Sequence, residues 1–220
     1  MEKIENKKED VVEIKKKYKK LRNCILIVVL ILFLMFLSRL LYTAKTMQDI
    51  LRNNSTRDFN GNFKITTTGV GASERFYKDG KMYIKHSDFA GTLFYEDALY
   101  IVDHTNKQYN RMENFALNTN SISLMNSMFI DDETIESFPK MILMAWQSRA
   151  HIGHENLDGK EYLTLELKSF MQKYWINTET NLVEKESNDG QITEIKFEEN
   201  VVKDEDILLP WDMGYTERKL

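Results

Sequence analysis

Residues 155–210 hold the stretch that decides the fold: ENLDGKEYLTLEL (155–167), KYWINTETNLVEKES (173–187) and ITEIKFEENVVKDEDILLP (192–210). Each segment sets short apolar-polar alternations around a turn. Asp158-Gly159 precedes Glu161–Lys168. Thr178-Glu179-Thr180-Asn181 separates Gln172–Asn177 from Leu182–Glu186, and Asn188-Asp189-Gly190 precedes Gln191–Glu198. Asp-Gly between two such runs signals a hairpin, because both central residues of the favoured turn need positive φ. The stretch predicts an antiparallel meander.

The same pattern runs upstream. Phe63, Ile65 and Thr67 alternate with Lys64 and Thr66. Arg75–Lys78 and Lys81–His86 flank Asp79-Gly80, Thr92–Tyr95 and Leu99–Val102 flank Glu96-Asp97, and Lys107–Met112 reads as a further strand. The pattern changes at about residue 114. Ser121–Met128 and Glu133–Gln147 read as helices, with Asp131-Asp132 as N-cap of the second. Pro139 either kinks that helix or marks its start. The end, Val201–Leu220, is irregular and is expected to pack across an edge. About ten strands with one helical insertion define an α+β class.

Taken in order, these segments resemble the bacterial lipoprotein-carrier fold of the LolA/LolB type and its envelope relatives. The residues that carry the likeness are Gly159 before a strand, Trp175-Ile176-Asn177, Lys185, Pro210 and the opening FNGNFKI at 59–65. The resemblance implies an open antiparallel half-barrel sheet with helices covering its concave face, and an apolar cavity between them. The insertion at 114–149 falls where the lid helices of that fold would lie. Its apolar face, Phe138, Met141, Ile142, Ala145 and Trp146, is the candidate cavity lining; ordinary core packing is the alternative. A clear counterpart of the family's strand arginine is missing, and the carrier's shuttling does not transfer to a tethered chain.

The tether is read from residues 24–44. Cys24 to Leu37 runs CILIVVLILFLMFL without a polar break, and inclusion of Leu21 and the segment to Ala44 reaches the ~20 residues that span a bilayer. Arg39 then snorkels to the outer interface beside Tyr42. A cleaved signal peptide is the rival, but Tyr42 is bulky three residues before a cut after Ala44. Cys24 stands at the start of the apolar run, where no lipoprotein signal places its cysteine. Residues 1–23 hold nine Lys/Arg against five Asp/Glu, which predicts a cytoplasmic tail. Residues 45–57 read as a helical stalk and 58–220 as the extracytoplasmic domain.

Residues 45–220 carry 20 Lys/Arg against 29 Asp/Glu, and this acidity excludes nucleic acid as a partner. The single Cys24 allows no intrachain disulfide. The HIGHE sequence at 151–155 only superficially resembles zinc-hydrolase motifs, because His151 and His154 on a strand face opposite ways. Asp131-Asp132-Glu133 lacks the alternation of a calcium loop. No nucleophile elbow or phosphate loop is present, so the expectation is a non-catalytic domain with no cofactor and no metal. Its expected partners are the lipid bilayer and a lipid, acylated peptide or other hydrophobic ligand. The alternative is an envelope sensor or scaffold that works through protein contacts, which an exposed apolar patch or a bare sheet edge, with a filled interior, would favour. A metal hydrolase using the two histidines is the third possibility.

Overall fold

The computed structural model describes residues 2–54, 61–69, 72–115 and 132–218, with side chains from Tyr18 onward except that of Asp132. The expected helix at 121–128, the cap at Asp131 and the end of the stalk lie outside the described residues. The chain divides into two units, Met1–Tyr42 and Thr43–Leu220. Helix α1, Glu2–Asn53, supplies all of the first unit and the opening of the second. Its segment Tyr18–Asn53 is long and apolar enough to cross a membrane, and its apolar window has no share buried within the protein.

Among the described residues the second unit is built on one sheet of 12 strands. The strands are β1 (Phe63–Gly69), β2 (Ser73–Lys78), β3 (Lys81–Lys85), β4 (Ala90–Tyr95), β5 (Ala98–Asp103), β6 (Gln108–Glu113), β7 (Ala150–Leu157), β8 (Lys160–Leu167), β9 (Gln172–Asn177), β10 (Val183–Asn188), β11 (Gln191–Glu199) and β12 (Thr216–Glu217). Their order is β12-β6-β5-β4-β3-β2-β1-β11-β10-β9-β8-β7. Two meanders therefore meet where β1 pairs β11, and every pairing is antiparallel except that of β12 with β6. The Asp-Gly turns form as the sequence predicts. Asp79-Gly80, Asp158-Gly159 and Asp189-Gly190 all have positive φ at both central residues, as do Glu96-Asp97. The two strands beyond the expected ten are β7 and β12. At β7 the sequence reads 151–155 as strand and turn; the full strand is harder to see because AHIGHENL has little apolar alternation and carries a glycine at mid-strand.

Directly opposed residues of an antiparallel pair share a face, so the register sorts the side chains. On the first face one row runs Phe197, Ile65, Arg75, Ile84, Thr92, Ile101, Asn110 from β11 to β6. A parallel row runs Phe63, Tyr77, Met82, Phe94, Leu99, Met112. Over β8 to β10 the same face carries Leu165, Leu167, Tyr174, Ile176 and Val183, all fully buried.

The insertion forms α2 (Asp132–Glu136) and α3 (Phe138–Gln147), broken at Ser137, with Pro139 in the first turn of α3. Proline fits there because its missing N–H would have no intrahelical partner. Of the expected stalk at 45–57, residues 45–54 are described, and together with Thr43 and Ala44 they belong to the second unit and its core. Ala44, Met47, Ile50 and Leu51 are buried. Gln48 Nε2 donates to the Ile135 carbonyl at 2.7 Å. Asn54 is fully buried; its Nδ2 donates to the Asn181 carbonyl (3.1 Å), and its Oδ1 accepts from the Val183 N–H at 2.8 Å. These bonds fasten the helix end to α2 and to the start of β10.

The second face of β2 to β6 is closed by the C-terminal tail. Phe76, Leu93, Ala98, Tyr100 and Val102 form a core with Val202 and Ile207. Asn62 clamps the start of the tail: its Oδ1 accepts from the Val202 N–H and its Nδ2 donates to the Val202 carbonyl. Further on, the Trp211 ring lies 5.3 to 6.1 Å from those of Tyr95, Tyr100 and Tyr109. His104 bridges Tyr83 (2.6 Å) and Tyr215 (3.0 Å), and Gly91 leaves room for the Tyr83 ring, with which any Cβ there would collide. The tail ends as β12 on the β6 edge, as expected of an irregular segment that packs across an edge.

Candidate functional site

Helix α3 carries the five residues expected to line a cavity, and they do not act as one face. Met141 and Ala145 are buried, Phe138 and Ile142 are half-buried, and Trp146 is 57% exposed. The cause is the helical rotation of about 100° per residue. Met141, Met144, Ala145 and Ser148 fall on one side and are all buried, whereas Trp146 lies well round from them beside the exposed Leu143. Met141 and Ala145 are core residues, and Trp146 belongs to the outer surface.

A different site emerges on the first face. Its two rows are dry near β1, where Phe63, Ile65 and Met82 are at most 2% exposed. They open toward β5 and β6, where Ile101 is 46% and Met112 40% exposed, with Ile84, Phe94 and Leu99 half-buried between. Two of the polar groups within this apolar surface, Asn110 and Arg75, stand out. Asn110 Oδ1 is buried and, among the described residues, is a side-chain acceptor without a hydrogen-bond partner. Such groups are rare in folded proteins and call for a partner. Arg75 is half-buried on the same row; burial pushes its guanidinium below the ordinary value, opposed by the Glu186 carboxylate. The sequence does contain a signal for this surface. Strand β5 reads ALYIVD, apolar on both faces, as expected when both faces have something to cover. The tail covers Tyr100 and Val102; among the described residues Ile101 remains exposed and Leu99 half-buried.

The other half of the sheet carries a polar network on its second face. Glu184 accepts from Asn177 Nδ2 (2.7 Å) and from the Tyr162 hydroxyl (2.8 Å), with Lys160 at 3.4 Å. Burial pushes the Glu184 carboxyl up, but these donors outweigh it and hold it below the ordinary value. Tyr162 is pushed up to about 12, by burial first and then by Glu184. Glu155 accepts from Lys173 and from Trp175 Nε1, which holds its carboxyl below the ordinary value. A cavity of about 600 Å³ opens beside Glu184, where β10 and β11 part beyond Glu194; its rim lysines Lys160 and Lys185 are paired with Glu184 and Glu194.

These depressed carboxyls set an acid limit. A carboxyl whose folded pKa lies below its unfolded value stabilises the fold fully above that unfolded value, about 4.3 for Glu, and loses this contribution as pH falls through the folded value. The expected result is a thermal midpoint that drops below about pH 4.3. The drop should be shallower in a Glu155→Gln, Glu184→Gln double variant. Both carboxylates are partly exposed, so added salt should also flatten it.

His151 and His154 alternate to opposite sides of β7, opposing Glu166 and Leu163 respectively. Among the described residues no group of three or more His, Cys, Asp or Glu is placed to hold a metal ion.

No protein-family model and no curated protein matches the chain. Among solved structures it is similar to the crystal structure of an uncharacterized conserved protein from Thermus thermophilus. The identity is 10% and the TM-score 0.46, with 79% of this chain and 99% of that chain covered.

Proposed function

We propose that the chain is a membrane-anchored extracytoplasmic domain that binds a lipid, an acylated peptide or another apolar ligand, without catalysis. The reading combines three inferences. The basic tail stays in the cytoplasm and the apolar part of α1 spans the bilayer. The sheet is a half-barrel of the lipoprotein-carrier type whose concave side is the first face. The ends of α1, α2 and α3 cover that face over β7 to β11 and, among the described residues, leave Ile101 and Met112 exposed over β5 and β6.

The observation that carries the reading is the pairing of open apolar surface with an orphaned acceptor. Leu99, Ile101 and Met112 offer a floor for an acyl chain, and Asn110, beside Ile101 in register, offers its Oδ1 to a hydroxyl or amide of the same ligand once the side chain turns out of its buried position. Arg75 stands on the same row, nearer the dry end, where a carboxylate or phosphate would favour it. The buried face of α3 takes the role of core rather than lid.

The test is a titration of the full chain in detergent with a fluorescent fatty acid. Ile101→Glu sets a carboxylate against the bound chain and should weaken binding roughly tenfold or more. Asn110→Leu should raise stability by about 1 kcal/mol, because it removes a buried unpaired acceptor, and lower affinity for ligands that carry a donor. Binding unchanged in both folded variants would place the ligand elsewhere or remove it. A second reading, an interaction module, draws on the outer edge of β7, which ends the sheet with no strand beyond it among the described residues.

A further inference from the structure

On the first face over β3 to β6, polarity changes along the strands. Residues two apart on a strand share a face, so the register stacks this surface into rows ~6.7 Å apart. The first row, Met82, Phe94, Leu99 and Met112, is wholly apolar. The second alternates Ile84 and Ile101 with Thr92 and Asn110. The third, Ala90, Asp103 and Gln108, is mostly polar. His86, which follows β3, adds to that end by meeting Thr92 Oγ1 at 2.9 Å.

Contact with water does not explain this gradient. On β6 the apolar end is the more exposed one: Met112 is 40% exposed, whereas Asn110 and Gln108 are half-buried. A strand patterned by solvent alone would run the other way, with its amides outermost and its methionine covered. The gradient instead matches the two ends of an amphiphile.

We propose that the ligand lies along the strands, with its acyl chain on the row of Leu99 and Met112 and an uncharged, hydroxyl- or amide-bearing head at Asn110 and Gln108. The inference rests on the ligand-binding reading above and adds to it the direction of the ligand and the class of its head. Gln108 and Asn110 set two carboxamides on one face of β6, and Asn110 Oδ1 has no partner among the described residues. A carboxamide both donates and accepts, as a hydroxyl or an amide does in return. Asp103, opposite Gln108, decides against an anionic head. The Asn106 N–H and Nδ2 bind its two oxygens at 3.0 and 2.7 Å and hold its carboxyl below the ordinary value. It therefore stands beside the head as a fixed negative charge. A carboxylate or phosphate would instead seek Arg75 on β2, two strands beyond β4, and turn the ligand across the strands.

The test uses the full chain in detergent and two photoreactive monoacylglycerols of equal length. One carries a diazirine at the end of the acyl chain, the other beside the ester. Fragment mass spectrometry reads the labelled residues. The chain-end probe should label Leu99 or Met112 and the ester probe Asp103 or Gln108, and excess unlabelled monoacylglycerol should suppress both. In competition the monoacylglycerol should bind roughly fivefold more tightly than the fatty acid of the same length, the effect of one partly exposed charge. Asp103→Asn, which keeps the acceptor for the Asn106 N–H, should bring the two affinities together. A reversed labelling pattern, an ester label at Ile84 beside Arg75, or a wild-type preference for the fatty acid would overturn the proposal while leaving a ligand on this face. No suppressible label from either probe would remove the ligand-binding reading itself, and the proposal with it.

Discussion

A chain that begins at residue 58 does not fold, whereas one that begins at residue 43 does. This is the largest effect expected, and it runs against the domain boundary that hydropathy suggests. Residues 43–54 look dispensable, since they continue an apolar helix and precede the first strand. In the structure they are interior: Met47 is fully buried, and Ile50 and Leu51 are nearly so. Burial of these three side chains contributes roughly 6 kcal/mol at ~2 kcal/mol each, comparable with the whole stability of about 5–15 kcal/mol typical of a domain. The cut also removes Asn54, and so leaves the Val183 N–H and the Asn181 carbonyl without their partner. Urea unfolding followed by circular dichroism distinguishes the two chains: 43–220 should give a cooperative transition, and 58–220 none. A cooperative transition of equal midpoint in both would show that the helix end is an ornament.

Removing the tail after Asn200 is the second large effect. The segment contributes Val202 and Ile207 to the second core and covers Phe76, Leu93, Tyr100 and Val102, and its loss costs roughly 5 kcal/mol or more. It also strips β12 from β6, turning that strand into an open edge. The shortened chain should bind a hydrophobic dye and aggregate. The tail can be probed more gently through Trp211, which is 38% exposed among three tyrosine rings; Trp211→Ala should cost about 2–3 kcal/mol, less than a fully buried tryptophan. Native stability in the chain ending at Asn200 would mean that the tail rests on the sheet without holding it.

The two deletions show where a sequence reading reaches its limit. The hairpins were legible because their signal is local: Asp-Gly needs no distant partner to favour a tight turn. The apolar spacing of Met47, Ile50 and Leu51 was equally visible, but a helix stripe does not say what it packs against. That β1 would pair with β11 depended on two meanders meeting, with 121 residues between Gly69 and Gln191 in sequence. The site divides in the same way. Met141 and Ala145 are buried, while Trp146, which the spacing places on the same face, is turned outward because a broad apolar stripe does not say where its buried centre lies. Asn110 could not be found at all. An asparagine in a half-polar strand is ordinary until the register sets it beside Ile101 and leaves its oxygen buried without a donor.

The central claim is that the first face over β3 to β6 holds an apolar ligand. Native mass spectrometry of the full chain, extracted gently from its membrane, tests it most directly. The prediction is one defined lipid or acylated species bound per chain, retained through washing and lost from Ile101→Glu. A clean apo mass, with no species taken up when membrane lipids are added back, would contradict it.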